Sequence, residues 1–221
     1  MAWSKKRALE KIREVGLIPI VRAPTAEIAL AAAEAIVASG VGVAEITMTV
    51  PNALRVLGEV ARRFGSRALI GAGTVLDRKT CARAIAAGAE FIVTPSLELP
   101  VIRTARKAKR VCIPGALTPT EILAAWRAGA DLVKVFPCGP VGGPAYIKAI
   151  RGPLPDIPLV PTGGVNLETT PAFMRAGAAA VAAGGELVDV KALADGRVDV
   201  VTENARRFLE AVRAGRKMST A

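Results

Sequence analysis

Ala128-Gly129-Ala130 runs directly into Asp131-Leu132-Val133-Lys134-Val135-Phe136-Pro137. The glycine can take the left-handed conformation that ends a helix. The apolar run after it predicts a buried strand. Side chains along a strand alternate between faces, so Leu132, Lys134 and Phe136 share one face and Val133 and Val135 the other. A lysine among such neighbours loses hydration, which disfavours its charged form and lowers its pKa. A neutral amine attacks carbonyls, so Lys134 is a candidate Schiff-base lysine. The plainer alternative is a lysine snorkelling from a strand end.

The same helix–glycine–strand joint recurs at Ala87-Gly88-Ala89 and Ala176-Gly177-Ala178. Strand candidates recur with it: Leu17–Val21, Val43–Met48, Ala68–Ala72, Phe91–Thr94, Val111–Pro114, Leu132–Phe136, Pro158–Thr162 and Ala179–Ala183. Each gap has room for a crossover helix, the mark of parallel βαβ units. Thr118-Pro119-Thr120-Glu121 reads as a capping box, Asp77 and Thr25 as N-caps, and Pro51 and Pro171 as first-turn residues. Helices at about Ser4–Val15 and Thr202–Ala214 flank the repeats. The expected fold class is α/β, a closed (β/α)8 TIM barrel with an extra N-terminal helix, with residues 1–221 forming one domain. An open doubly wound sheet is the alternative, although no dinucleotide fingerprint follows the first strand.

The composition narrows the function classes. Hydrophobic residues make up 52% of the 221 residues, which points to a globular chain rather than a disordered one. No apolar run reaches the roughly 18 residues of a membrane span. Met1-Ala2-Trp3-Ser4-Lys5-Lys6-Arg7 leads into a charged amphipathic helix and lacks a signal-peptide core. Cys81, Cys112 and Cys138 are too widely spaced for a disulfide framework or a metal cluster, so a reducing cytoplasm is expected. Histidine is absent, which removes the usual general base and zinc ligand. The net charge of +11 is spread over helices without interleaved aromatics, so it reads as solvated faces that attract anionic substrates. No nucleic-acid or membrane partner is expected.

In a barrel, reactive groups gather where the strands end. In Val43-Ala44-Glu45-Ile46-Thr47-Met48, the residues Val43, Glu45 and Thr47 share a face. A buried glutamate is costly without a partner, and a lumen-facing Lys134 would supply one. An inert buried ion pair is the competing reading. Arg22 closes the first strand, where it can bind a carboxylate or phosphate, or simply sit on a surface loop. Thr74 follows Gly71-Ala72-Gly73, whose glycines allow close backbone approach to a ligand. It too has a plain reading, as a turn hydroxyl bonded to local backbone. Gly163-Gly164 and Gly184-Gly185 follow the seventh and eighth strands, where barrels often hold phosphate.

These residues resemble the class I aldolases acting on 2-keto-3-deoxy-6-phosphogluconate and 4-hydroxy-2-oxoglutarate. The likeness runs from Ile18-Pro19-Ile20-Val21-Arg22 through Glu45-Ile46-Thr47, Gly71-Ala72-Gly73-Thr74-Val75-Leu76 and Thr94-Pro95-Ser96. It continues at Pro114-Gly115, Thr118-Pro119-Thr120-Glu121, Lys134-Val135-Phe136-Pro137, Pro161-Thr162-Gly163-Gly164 and Gly184-Gly185. The resemblance implies Lys134 as the Schiff-base lysine, Glu45 as general acid/base and Thr74 on the pyruvyl carboxylate. It also implies Pro95 and Phe136 as pocket walls, and Thr162, Gly163 and Gly164 toward the far end of the substrate. It further implies a homotrimer and no cofactor or metal, because the iminium nitrogen is itself the electron sink.

The chain departs from the family pattern at two positions. Thr49 stands where many members carry an arginine for the substrate carboxylate, and Arg22 is expected to supply that charge. Glu186 stands where many carry a serine or threonine near phosphate, and is expected to weaken a preference for phosphate. Two rival readings stay open at this point. One is a phosphate-binding TIM-barrel isomerase or synthase; the other is a catalytically silent trimeric scaffold of the same fold.

Overall fold

The computed structural model describes residues 3–217. Met1 and Ala2, on which the reading of the amino terminus partly rests, lie outside the described residues. The chain opens with α1 (Lys5–Val15), β1 (Leu17–Val21), α2 (Ala26–Ala38), β2 (Val43–Thr47), α3 (Ala53–Phe64) and β3 (Leu69–Gly73). It continues with α4 (Arg78–Ala86), β4 (Phe91–Val93), α5 (Leu99–Lys107), β5 (Val111–Ile113), β6 (Gly115–Ala116) and α6 (Pro119–Arg127). The last third holds β7 (Val133–Val135), α7 (Pro144–Arg151), β8 (Leu159–Pro161), α8 (Thr169–Arg175), β9 (Val181–Ala183), α9 (Val190–Ala194) and α10 (Val198–Lys217).

Every strand pairing is parallel, and the strands form a curled α/β sheet in two ladders. One ladder runs β5-β4-β3-β2-β1-β9 and the other β6-β7-β8. The expected strand Val111–Pro114 ends at Ile113, because Pro114 has no N–H to give a ladder, and a further short strand, β6, follows it. The Pro114 carbonyl instead accepts from Lys134 N–H at 2.9 Å. At the other seam Ala179 N–H donates to Leu159 O at 2.9 Å, and Thr162 bridges Ala182. Residues of β1, β2 and β3 are buried on both faces, as parallel strands covered by helices must be.

The helix ends follow the chemistry of their capping residues. Thr118 and Glu121 form the full capping box, and Thr25 and Asp77 cap α2 and α4. Gly88, Gly129 and Gly177 take φ of 110°, 96° and 88°, conformations open to glycine at little cost. Pro171 lies in the first turn of α8, but Pro51 does not lie in a helix. It sits in the turn before α3, where Asn52 occupies the N-cap with a left-handed φ of 55°. The carboxy-terminal helix is longer than its apolar period suggested. At its end the Arg216 guanidinium donates to Glu14 O at 2.6 Å and to Arg13 O, carbonyls that α1 leaves unpaired. All three cysteines are free and buried. Among the described residues no helix is long and apolar enough to cross a membrane.

The capping box offers a direct check on this local reading. Thr118→Ala removes the acceptor for Glu121 N–H and should cost about 1 kcal/mol in urea unfolding. A change below the error of that measurement would show that α6 is held by packing alone.

Candidate active site

Residues just past the ends of β1, β3, β4, β7, β8 and β9 converge on a cavity of about 530 Å³. Glu45 and Lys134 project into it from within β2 and β7. Lys134 is flanked in register by Gly115 of β6 and Val160 of β8, and Glu45 by Ile20 of β1 and Gly71 of β3. Arg22, Thr74, Pro95, Phe136, Thr162, Gly163, Gly164, Gly184 and Gly185 also line the cavity. Thr49 does not: it borders a neighbouring hollow, and its hydroxyl is hydrogen-bonded to Thr47 at 2.9 Å.

Glycines hollow out the reactive layer. A Cβ on Gly73 would overlap the Glu45 carboxylate, and one on Gly71 would overlap the Phe91 ring. The Gly71 and Gly73 positions therefore make room for protein side chains rather than for a ligand's approach, which corrects the reading made from sequence. Gly115 leaves space for the backbone of Pro95, and its N–H donates to Thr94 Oγ1 at 3.1 Å. That bond ties the end of β4 to β6 and fixes the proline wall. Thr74 is held at φ 57°, a strained state for a β-branched residue that costs on the order of 1–3 kcal/mol.

Glu45 is 1% exposed and Lys134 7%. Burial pushes the Glu45 carboxyl up, opposed by the positive charges of Lys134 and Arg22. Burial likewise pushes the Lys134 amine down; the negative charge of Glu45 raises it and Arg22 lowers it further. The two side chains influence each other without forming an ion pair, and Glu45 Oε2 is buried with no hydrogen-bond partner. The Lys134 Nζ stands 5.0 Å from the centre of the Phe136 ring. A buried amine and a buried, unpartnered carboxyl lining one cavity can form an imine and exchange protons with what binds there.

The description "KDPG and KHG aldolase" belongs to a family model that matches residues 9–204. The chain belongs to this family. It is 38% identical over 155 residues to the 2-dehydro-3-deoxy-phosphogluconate aldolase of Pseudomonas aeruginosa, covering 70% of each chain. It superposes on a KDPG aldolase from Legionella pneumophila, solved with pyruvate captured as a covalent carbinolamine intermediate, with a TM-score of 0.81 and 29% identity. That match covers 90% of this chain and 96% of the other. A TM-score of 0.85 at 33% identity relates it to a chain of a cube-shaped protein cage designed by fusing symmetric oligomeric domains. Here the coverage is 93% of this chain and 74% of that one.

Sequence reasoning did not name Ile20, Val165, Ala182, Val188 or Val190, which complete the lining. Strand alternation points to Ile20, which stands two residues before Arg22. Nothing periodic marks Val188 and Val190, because a turn reverses the chain after β9. Glu186, singled out as a departure from the family pattern, does line the cavity.

The opposing effects on Lys134 give a test independent of any substrate. Reductive methylation of Lys134 by formaldehyde, followed by mass spectrometry across pH, should show a midpoint below the ordinary lysine value of 10.5. Glu45→Gln should move the midpoint down and Arg22→Ala should move it up. Shifts of the opposite sign would mean that these charges do not act on the amine.

Proposed function

We propose that Lys134 and Glu45 carry the reversible cleavage of a 2-keto-4-hydroxy acid to pyruvate and an aldehyde. The chain is a class I aldolase, a carbon–carbon lyase, by its family. The observation that carries the residue roles is the buried amine and the unpartnered buried carboxyl sharing one cavity. Neutral Lys134 attacks the C2 ketone, and the carbinolamine loses water to give an iminium ion. Glu45 supplies and removes the protons of these steps, then accepts the C4 hydroxyl proton as the C3–C4 bond breaks. The bonding electrons flow to the iminium nitrogen, giving an enamine. Protonation at C3 and hydrolysis then release pyruvate and restore the amine.

In this reading Arg22 and Thr74 hold the keto-acid carboxylate, with Pro95 and Phe136 as walls. The Phe136 face stabilises positive charge at the neighbouring nitrogen. Thr162, Gly163, Gly164, Gly184 and Gly185 bound the rest of the substrate. An isomerase or synthase that merely bound phosphate, or a silent scaffold, would leave the costly burial of Glu45 and Lys134 without a purpose.

The remaining finer readings are also part of the proposal. The two ladders are read as one closed eight-stranded barrel, supported by the continuity of β5 and β6 across Pro114 and by the Thr162–Ala182 bridge. One contiguous hydrophobic core from Ala8 to Val212 supports a single domain. A homotrimer acting in the cytoplasm fits the likeness to oligomeric domains and the buried free thiols. Light scattering at micromolar concentration should return three times the chain mass.

Borohydride reduction in the presence of pyruvate, followed by peptide mass spectrometry, should place the adduct on Lys134. An adduct mainly on Lys148 or Lys191 would sink the assignment. Glu45→Gln keeps shape but loses the base, so turnover should fall by about 10²–10⁴-fold with substrate binding weakened much less. Full turnover in the folded variant would give the proton transfers to another group. Arg22→Ala should raise KM by the equivalent of roughly 1.5–3 kcal/mol, the range for a charge-assisted hydrogen bond. An unchanged KM would move the carboxylate contact elsewhere.

A further inference from the structure

The cavity is bounded on one side by the segments that follow β8 and β9, which bring no cation of their own to it; the nearest strand end with one is that of β1, which pairs with β9 and leads into Arg22. Its charged lining residues are Arg22 and Lys134 on the positive side and Glu45 and Glu186 on the negative. In the reaction described above, Lys134 is consumed by the imine and Arg22 by the keto-acid carboxylate. What remains beside β8 and β9 is the Thr162 hydroxyl, the glycine backbones and the Glu186 carboxylate.

The backbone there is also partly spent. Leu187 and Val188 both donate their N–H groups to Gly184 O, each at 2.9 Å, so neither is available to an anion. Gly184 and Gly185 have no left-handed φ, and a Cβ on either would meet nothing within 4 Å. The fold itself therefore does not require glycine at these two positions. The space they leave opens on the cavity and is available to an occupant.

We propose that this side of the cavity receives the uncharged polyhydroxy end of an unphosphorylated 2-keto-3-deoxy sugar acid, with Glu186 accepting hydrogen bonds from its hydroxyls. The proposal rests on the aldolase reading above. A carboxylate has two acceptor oxygens and can take neighbouring hydroxyls together, while the free glycine N–H groups donate to hydroxyl oxygens. A phosphate dianion or a second carboxylate at this place would instead face a like charge, with Arg22 already engaged by the keto-acid carboxylate.

The test compares retro-aldol kcat/KM for 2-keto-3-deoxygluconate, its 6-phosphate and 4-hydroxy-2-oxoglutarate, in the full chain and in Glu186→Gln and Glu186→Ser. The full chain should prefer the unphosphorylated sugar acid. Both substitutions should lower kcat/KM for that substrate, on the order of 10- to 100-fold, and raise it for the 6-phosphate. A full chain that prefers the 6-phosphate or 4-hydroxy-2-oxoglutarate overturns the proposal, as does a substrate ratio unmoved by both substitutions. Borohydride trapping of pyruvate on the unsubstituted chain separates the two levels of inference. No adduct overturns the aldolase reading itself, whereas an adduct with the wrong substrate ratio overturns only the assignment of Glu186.

Discussion

Withdrawing Lys134 and Glu45 from water into one cavity is the constraint to which the surrounding structure is fitted. Each loses hydration, and each would recover it most simply by pairing with the other. A closed pair would hold the lysine protonated and so unable to attack a carbonyl. Instead they stand apart, joined only through space, and the carboxylate keeps an unpartnered oxygen. An unsatisfied buried acceptor costs about 1–3 kcal/mol.

The neighbouring residues keep that separation. Gly73 gives the Glu45 carboxylate its place, since any side chain there would occupy the same volume. Gly71 accommodates Phe91, which fills the adjoining layer, and Gly115 lets the Pro95 backbone close in beside Lys134. The inner surface is thus packed by a large ring at one level and hollowed by glycines at the next. This is how a curled sheet of short strands gains both a core and a cavity. Thr74, held in a left-handed conformation at the rim, belongs to the same arrangement and carries its strain at the site.

The sequence displayed much of this because burial leaves periodic traces. A lysine and a glutamate inside otherwise apolar strands betray a lumen, and a helix–glycine–strand joint at Gly88, Gly129 and Gly177 betrays repeated units. Other features left no periodic trace. Pro114 reads as the end of a strand, yet its missing N–H only interrupts the extended chain, which resumes as β6 at Gly115. Pro51 looks like a first-turn residue until Asn52 takes the cap. Thr49 was named by its position in a family pattern rather than by any chemistry of its own, and its hydroxyl is engaged by Thr47. Val188 and Val190 reach the cavity only because Gly184 O gathers two N–H groups and turns the chain, a geometry that hydropathy does not encode.

The charge of the chain also separates into two roles. The excess of +11 lies on the outer helices, as along α4 and α5, where Arg78, Lys79, Arg103 and Lys107 border one groove. The cavity lining is balanced, with two cations and two carboxylates. A long-range positive field raises the arrival rate of any anion and is screened by salt within about 10 Å, so it cannot tell one keto acid from another. Discrimination therefore falls to contacts inside the cavity. In the proposed reaction Arg22 would take the carboxylate end of a substrate, and the glycine backbone and Glu186 the opposite end. On that proposal, a chain that is strongly basic on its surface still turns away a second negative charge inside its cavity.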